Sequence, residues 1–434
     1  MTRRQIAAGD NWYAADTAPL ELPALQGDHR ADVCVVGAGL TGCSAALELA
    51  ERGYKVILLE AHSIAAQASG RSGGHALRGF QSTMDRVERL AGIEHAKALW
   101  ALSVEARDLI DQRIVRYNID CDFRPGYLLA ALSPEDHDEQ KQDQEIFARY
   151  GENLDLLDRD RTQALVASPR YVGALLQPSG GRLHPLKYTL GLARAAQAAG
   201  AQLYGNSPAL GLEQNGATMR VKLAQGSVSA LFVVLAAGVY GAEIAPKLKT
   251  HSMRAFTYMV ATAKLGDRAR ALLPTDIAVE DTYYSLNYYH LSHDDRLLFG
   301  SGFSYDPWSV AHIKSRDRKV VRWLFPQLDD VEIEFGWRGP VDVTRTRMPD
   351  LGRISPTIFY AHGFSGHGIA LTGLSGKLMA EAVAGTAERF DVFSRLPLRP
   401  FPRSKLLRRA ALETRMAYWH AVQLLQNAKA AVSK

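Results

Sequence analysis

VVGAGLTGCSAALELAERGYKVILLE, residues 35–60, carries three glycines in the spacing G-x-G-x-x-G and ends in an acid. The apolar run ADVCVV (31–36) before the glycines and the run KVILLE (55–60) after them are typical of strands buried in a parallel sheet. Apolar residues recur at helical spacing between the two runs, and Gly53 stands where a helix commonly ends. The pattern predicts one strand–turn–helix–strand unit of a dinucleotide-binding fold.

Each glycine has a separate role in such a unit. Gly37 permits the tight turn, Gly39 lets the backbone approach a pyrophosphate, and Gly42 lets helix and strand pack closely. The helix N-terminus offers unpaired N–H groups and a partial positive charge to the phosphates. Glu60 ends the second strand, where its carboxylate can accept hydrogen bonds from ribose hydroxyls. An acid at this position disfavours NADP, because a 2′-phosphate would be repelled.

Two further segments favour FAD over NAD. The glycine- and serine-rich run QASGRSGGHALRGF (67–80) follows the second strand, where an NAD enzyme usually continues with another helix and strand. Near the C-terminus, a strand at 358–362, a glycine-rich turn and a helix to about residue 384 form another strand–turn–helix unit. The N-terminus of that helix, at 366–368, is a second positive pole. One dinucleotide motif with a second helix pole fits the two ends of a single FAD.

Composition sets the broad class. The chain has 434 residues, of which 47% are hydrophobic, and its net charge is +5, too mild to indicate a nucleic-acid partner. Three cysteines without metal-ligand spacing predict no disulfide, no metal site and a reducing compartment. The N-terminus has no apolar signal region, and the longest apolar stretch, 230–245, is shorter than the ~20 residues of a membrane helix. We therefore expect a cytoplasmic protein; its oligomeric state is left open.

Several motifs make the chain resemble the D-amino-acid-oxidase-like flavoenzymes, and within them the group of γ-glutamylputrescine oxidases. DVCVVGAGLTG (32–42) is generic, whereas ASGRSGG (68–74) together with GFSGHG (363–368) is specific to the superfamily. IDCDFRPGYLLA (119–130) and SGGRLHPL (179–186) are specific to the narrower group. The resemblance extends over nearly the whole chain.

The resemblance implies an α/β fold with a FAD-binding Rossmann-like domain of the glutathione-reductase type. An inserted α+β substrate domain would be built on a mainly antiparallel sheet. The predicted divisions are an N-terminal arm (1–30), a discontinuous FAD-binding domain (31–83, 171–246 and 337–393), a substrate-binding domain (84–170 and 247–336) and a basic C-terminal helical extension (394–434). That extension could lie on the flavin domain, meet a partner subunit or touch a membrane surface.

The resemblance also implies non-covalent FAD. Some relatives tether the flavin through Cys or His, but Arg71 and Gly339 stand in the matching stretches here. The residues predicted to contact FAD are mostly small or polar and come from separate loops: Gly37, Gly39, Gly42, Glu60, Ala61, Ser69, Gly70, Arg71, Ser72, Gly73, Gly74, Ala209, Ala237, Gly238, Gly363, Phe364, Ser365, Gly366, His367, Gly368 and Ile369.

The implied reaction is amine oxidation. A hydride would pass from the carbon next to an amine to flavin N5, the imine would hydrolyse, and O2 would reoxidise the flavin to give H2O2. The substrate that the resemblance implies is γ-glutamylputrescine or a related polyamine derivative. Two alternatives stay open: an oxidase of a secondary or α-amino acid such as sarcosine, proline or pipecolate, and a quinone-linked amine dehydrogenase. The residues predicted to act on the substrate are His75, Tyr284, Tyr288 and Arg338.

The reasons for these substrate residues differ. His75 follows the SGRSGG segment and is the titratable side chain expected nearest the flavin ring. Four tyrosines, Tyr283, Tyr284, Tyr288 and Tyr289, can form an aromatic wall, which would favour the neutral amine needed for hydride transfer. Arg78, Arg338 and Arg345 are not typical of the γ-glutamylputrescine oxidase pattern, and an extra arginine would suit a substrate carboxylate.

Overall fold

The computed structural model describes residues 10–283, 285–397, 399–404, 406–414 and 417–418. Tyr284, one of the predicted substrate residues, lies outside the described residues, as does much of the predicted C-terminal extension. No helix among the residues described is long and apolar enough to cross a bilayer.

The first sheet has eight strands and contains the predicted strand–turn–helix–strand unit. Its main path runs β16-β17-β10-β1-β2-β7, with parallel pairing from β17 through β7 and an antiparallel edge at β16. The remaining strands β8 and β9 continue from β10 as an antiparallel hairpin. The strands are β1 (Gly27–Val36), β2 (Val56–Leu59), β7 (Gln202–Tyr204), β8 (Gly211–Asn215), β9 (Thr218–Leu223), β10 (Gly226–Leu235), β16 (Asp350–Ser355) and β17 (Ile358–His362).

The second sheet has nine strands in the order β15-β11-β14-β13-β12-β4-β6-β3, with β5 paired to β6. All of its pairings are antiparallel except that between β12 and β4, as predicted for a mainly antiparallel sheet. The strands are β3 (His75–Ala76), β4 (Arg124–Ala131), β5 (Asp155–Leu157), β6 (Gly173–Arg182), β11 (Met253–Thr262), β12 (Ala278–Asp281), β13 (Asn287–Leu291), β14 (Leu297–Ser304) and β15 (Ile333–Val343).

The helices cover both sheets. The α-helices are α1 (Trp12–Asp16), α2 (Leu40–Glu51), α3 (Met84–Ala91), α4 (Ile93–Arg116), α5 (Pro134–Ala148), α6 (Arg159–Leu165), α7 (Pro185–Ala198), α8 (Gly241–Ile244), α9 (Asp267–Leu272), α10 (Val310–Leu324), α11 (Ile369–Val383) and α12 (Glu388–Ser394). The helix after the glycine turn, α2, packs against both α7 and α11. A Cβ atom at Gly376 of α11 would lie 2.5 Å from the Thr41 carbonyl oxygen, so the two helices approach as closely as their backbones allow.

The sheets do not follow the predicted domain boundaries everywhere. Strand β6 and residues 337–343 of β15 belong to the second sheet, although both fall in segments that the sequence assigned to the FAD-binding domain. The division into domains stays a prediction. What the strand order adds is that β3, directly after the glycine-rich loop, pairs with β6 and so joins that loop to the second sheet.

The N-terminal segment enters the core rather than lying along the surface. Tyr13 of α1 is fully buried, and its ring packs edge-on against the rings of His184 and Trp337, with centroids 4.7 Å and 5.6 Å away. Asp16, at the end of the same helix, accepts a hydrogen bond from Lys187 at 2.8 Å. Strand β1 begins at Gly27, earlier than the sequence pattern indicated.

Candidate active site

The glycine turn after β1 forms a cradle that any side chain would fill. Gly37 has a φ of +102°, and a Cβ atom there would lie 2.7 Å from the carbonyl oxygen of Ala236. A Cβ atom at Gly42 would overlap the Gly37 carbonyl oxygen. A Cβ atom at Gly39 would lie 2.7 Å from Oγ of Ser69, which accepts a hydrogen bond from the first amide of α2. The turn therefore leaves bare backbone at the helix N-terminus, as a pyrophosphate requires.

Glu60 lies beside this turn. Its carboxylate accepts hydrogen bonds from the amides of Ala38 at 2.8 Å and His62 at 2.9 Å. Burial raises the pKa of Glu60, while these amide bonds oppose that rise. The Ser207 amide donates to the Glu60 carbonyl at 2.7 Å, which brings the loop containing Ala209 to the same end of β2.

The glycine-rich loop after β2 is held at several points. Arg71 donates from Nε to the Ala66 carbonyl at 2.7 Å, and the Arg71 carbonyl accepts the indole N–H of Trp337 at 2.9 Å. The Gly74 carbonyl accepts the amide of Leu183 at 3.0 Å. Nη1 of Arg71 and Oγ of Ser72 are buried without a hydrogen-bond partner among the described residues. These two atoms therefore have hydrogen-bonding capacity left for a ligand.

The loop between β17 and α11 is shaped by Asp342. Its carboxylate accepts the Gly363 amide at 2.7 Å, and its carbonyl accepts the Ser365 amide at 2.9 Å. Gly363, Ser365 and Gly366 all have left-handed φ values, of +77°, +58° and +96°. Burial lowers the pKa of His367 to about 4, so its imidazole is neutral, and Nε2 has no partner among the described residues.

These loops meet at one edge of the first sheet, beyond the carboxyl ends of the parallel strands β1, β2, β10 and β17. That edge is where open α/β sheets bind nucleotides. Buried unsatisfied polar atoms and turns without room for Cβ atoms together fit a flat, polar dinucleotide such as FAD. The predicted cofactor residues at this edge lie in five segments: 37–42, 60–61, 69–74, 237–238 and 363–369.

His75, on the edge strand β3, and Tyr288, on the interior strand β13, lie close together in the second sheet. Their rings lie 5.9 Å apart, edge to face. A Cβ atom at Gly73 would lie 2.7 Å from the Tyr288 ring, and one at Gly300 would overlap that ring, so Tyr288 fits between two bare backbone positions. Burial and the nearby Arg182 lower the pKa of His75 to about 3, and its Nε2 has no partner among the residues described. His75 is therefore a neutral imidazole.

The predicted arginines have other partners. Arg78 forms ion pairs with Glu152 at 2.6 Å and Asp108 at 3.0 Å. Arg338 donates to the Trp308 carbonyl at 2.6 Å, and Arg345 is exposed and donates to the Pro400 carbonyl at 3.1 Å. None of the contacts among the described residues joins Arg338 to His75 or Tyr288. A substrate-carboxylate role for any of the three thus gains no support from their contacts.

The other tyrosines of the predicted aromatic wall differ among themselves. Tyr289 is fully buried, stacks on Phe299 and shares a hydrogen bond with Tyr171 at 2.8 Å, so it belongs to the core behind the sheet. The Tyr283 ring packs 6.2 Å from that of Trp323. Of the described tyrosines in the predicted wall, Tyr288 alone is placed against the glycine-rich loop.

Sequence reasoning did not identify Tyr127, Glu280 and His290 as site residues. The rings of Tyr127 and His290 lie 6.0 Å and 5.7 Å from that of His75, and Glu280 is opposite Tyr288 in the sheet. The available signal was weak: Glu280 is one acid in the short strand AVED, directly beside a second acid. Choosing between the two acids requires the strand register, which the sequence does not specify.

A second cluster of titratable side chains lies at the carboxyl end of β17. Asp350 accepts hydrogen bonds from His251 at 2.8 Å and His362 at 2.7 Å. Each of the three residues offers one side-chain atom that could bind a metal ion, and these three atoms lie within 4.8 Å of one another. Burial disfavours the charge of Asp350, but the two histidines outweigh burial and hold the pKa of this carboxyl well below its usual range. Burial likewise lowers the pKa of His362, but Asp350 raises it above the ordinary value.

We expect this cluster to make the stability of the fold depend on pH. The raised pKa of His362 contributes stability below about pH 6.5 that is lost as the pH rises through its folded pKa, and the lowered pKa of Asp350 contributes above about pH 4. We expect Asp350→Asn to lower the melting temperature more at about pH 5.5 than at about pH 8.5. The matched control is Asp330→Asn, which removes an exposed ion pair with Arg268. Equal losses at both pH values in Asp350→Asn would contradict the expectation.

Comparison with known proteins agrees with this geometry. Residues 32–382 match the family model described as FAD dependent oxidoreductase. The chain is 40% identical over 410 residues to "Gamma-glutamylputrescine oxidoreductase" of Escherichia coli K12, covering 92% of this chain and 94% of that protein. It is 39% identical over 416 residues to "Probable oxidoreductase OrdL" of Haemophilus influenzae, covering 94% and 95%.

Among solved structures, glycine oxidase from Geobacillus kaustophilus superimposes with a TM-score of 0.71 at 22% identity, covering 87% of this chain and 99% of that one. At that identity the likeness shows the fold alone. The predicted α/β flavoprotein fold, the resemblance and the use of FAD are confirmed. The chain belongs to the FAD-dependent oxidoreductase family of the D-amino-acid-oxidase type.

Proposed function

We propose that this protein is an amine oxidase that acts on γ-glutamylputrescine or a related polyamine derivative and passes the electrons to O2. The observation that carries the proposal is the 40% identity, over 92% of the chain, to a relative named "Gamma-glutamylputrescine oxidoreductase". The surroundings of His75 support an amine substrate, because tyrosine rings and neutral imidazoles face it and the nearby Arg182 is ion-paired with Asp122 and Asp276.

The chain's own residues would act by holding and orienting. We assign the glycine turn at 37–42 to the pyrophosphate, Glu60 to the ribose, and the loops at 69–74 and 363–369 to the flavin. When bound, the flavin supplies a hydride acceptor. The hydrogen bond from Trp337 to the Arg71 carbonyl fixes the glycine-rich loop that we assign to the flavin. Tyr288, held between Gly73 and Gly300, excludes water from that side of the pocket.

The test is a substrate panel under anaerobic conditions. We expect γ-glutamylputrescine to bleach the absorbance of the oxidised flavin faster than putrescine, sarcosine, proline or pipecolate. Admitting air should restore the colour and release one H2O2 for each amine oxidised. Bleaching by the amino acids alone would overturn the substrate assignment. A reduced flavin that air does not reoxidise would overturn the assignment of O2 as acceptor.

A further inference from the structure

The strand register places Glu280 on the face of the second sheet that is turned toward the glycine-rich loop. Glu280 is directly opposite Tyr288, which is in turn opposite Gly300. Residues directly opposite in antiparallel strands project from the same face. The ring of Tyr288 passes over Gly300 and reaches the backbone of Gly73, so this face meets the loop predicted to contact the flavin.

The neighbouring acid, Asp281, projects to the opposite face and is fully engaged. It is completely buried and accepts bonds from the side-chain amide of Asn287 at 2.9 Å and the backbone amide of Tyr283 at 3.0 Å. The Tyr171 hydroxyl contributes a further bond at 3.3 Å. Asp281 therefore has a structural role, because its carboxylate oxygens already accept hydrogen bonds from groups of the protein.

Glu280 is different, because it is partly buried and lacks a cationic partner. Among the described residues no Lys, Arg or His pairs with it, and the polar group that interacts with its carboxyl from β4 is the Tyr127 hydroxyl. The adjacent imidazoles supply no positive charge: burial, with help from Arg182, lowers the pKa of both His75 and His290. An ionised carboxylate in such surroundings is costly unless a cation comes from a ligand.

We propose that Glu280 binds the ammonium group of the substrate amine and accepts a proton from it before oxidation. In this step one N–H bond of the ammonium breaks and one O–H bond forms on the carboxylate, while the electron pair stays on nitrogen. The products are a neutral amine, which can donate hydride, and a neutral carboxylic acid. The inference rests on the proposed amine oxidase function and assigns the substrate-binding residue within it.

The electrostatics of the pocket suit both roles. Burial raises the pKa of Glu280 to about 7; the Tyr127 hydrogen bond lowers it, and the negative charge of Asp281 raises it. Tyr288, facing from β13, and Tyr127, facing from β4, are uncharged near neutral pH because burial raises the pKa of both. A carboxyl that titrates near neutrality can be ionised when it binds the ammonium and protonated after the transfer.

The test compares Glu280→Gln with the wild type and with Glu213→Gln, a control in the exposed strand β8. The probe is a putrescine derivative whose reacting carbon carries two methyl groups and so cannot donate hydride. Calorimetry should show its affinity for the wild type rising from about pH 6 to about pH 8 as Glu280 ionises. Glu280→Gln should bind it roughly 10- to 100-fold more weakly, with no such pH dependence, while retaining bound FAD.

The outcomes separate this inference from the proposed function. If wild type and Glu280→Gln bind the probe equally and with the same pH profile, the assignment of Glu280 is wrong even though amine oxidation stands. If no amine binds the wild type or bleaches its flavin, the proposed function itself fails. Glu280→Asp keeps the charge on a shorter side chain and should recover part of the affinity and the pH dependence, which a purely structural role would not produce.

Discussion

Gly42→Val is expected to yield a folded protein that does not retain FAD. The Cβ atom of any residue at position 42 would overlap the Gly37 carbonyl oxygen, and the two branches of valine would enlarge that overlap. The first turn of α2 would have to move away from β1, taking its amides out of position for the pyrophosphate. We expect FAD affinity to fall by roughly 100-fold or more, since forced overpacking costs about 1–3 kcal/mol even where side chains can yield.

The measurement is the ratio of flavin to protein absorbance after purification, followed by titration of the apoprotein with FAD. Gly211→Val is the matched control, because a Cβ atom at Gly211 has nothing within 4 Å and the residue has no left-handed φ. This control should purify with a full complement of flavin. A yellow Gly42→Val protein of normal FAD affinity would show that the turn is not the cofactor cradle.

Arg182→Met is expected to lower the free energy of unfolding more than any other substitution proposed for this protein. The Arg182 side chain is 2% exposed and forms ion pairs with Asp122, at 2.6 Å, and with Asp276. Its removal would leave two partly buried carboxylates close together without their buried cation, while methionine fills much of the volume. We expect a loss of about 3–5 kcal/mol in the free energy of unfolding, measured by urea denaturation of the holoprotein.

Arg124 provides a close control, because it approaches the same two aspartates, at 3.5 Å and 3.7 Å, with a side chain that is 53% exposed. Arg124→Met should cost less than about 1 kcal/mol, as exposed ion pairs do. Similar losses for Arg182→Met and Arg124→Met would mean that burial does not determine the contribution of this cluster. Far-UV circular dichroism before denaturation should show both variants folded.

The parts of the fold that depend on local sequence could be predicted. The glycine turn, helix α2 and strand β2 can be predicted from the residue spacing within 31–60. Each glycine of the turn stands where this geometry leaves no room for a Cβ atom. The loop at 363–369 could be predicted similarly, since it repeats the strand, glycine turn and helix order. The resemblance then supplied FAD and the family, which comparison confirmed.

The substrate side of the site could not be predicted as fully, because it depends on register between distant strands. Tyr288 and Tyr289 are adjacent in sequence, yet one projects toward the glycine-rich loop and the other into the core behind the sheet. A shift of one residue would exchange them. The same alternation places Glu280 and Asp281 on opposite faces of the sheet, and the sequence alone does not show which of the two acids faces the glycine-rich loop. Arg78 could likewise be considered for a substrate carboxylate from sequence alone, but in the structure it forms ion pairs with Glu152 and Asp108.

The burial of Tyr13 bears on the order in which the chain is completed. Tyr13 is synthesised long before Trp337, yet the ring of Trp337 is one of those that enclose it. A nascent polypeptide must therefore keep the Tyr13 side chain without this neighbour until β15 has been synthesised. Fragments that stop before β15 would lack this closure, so α1 gains its contact with Trp337 only after β15 has been synthesised.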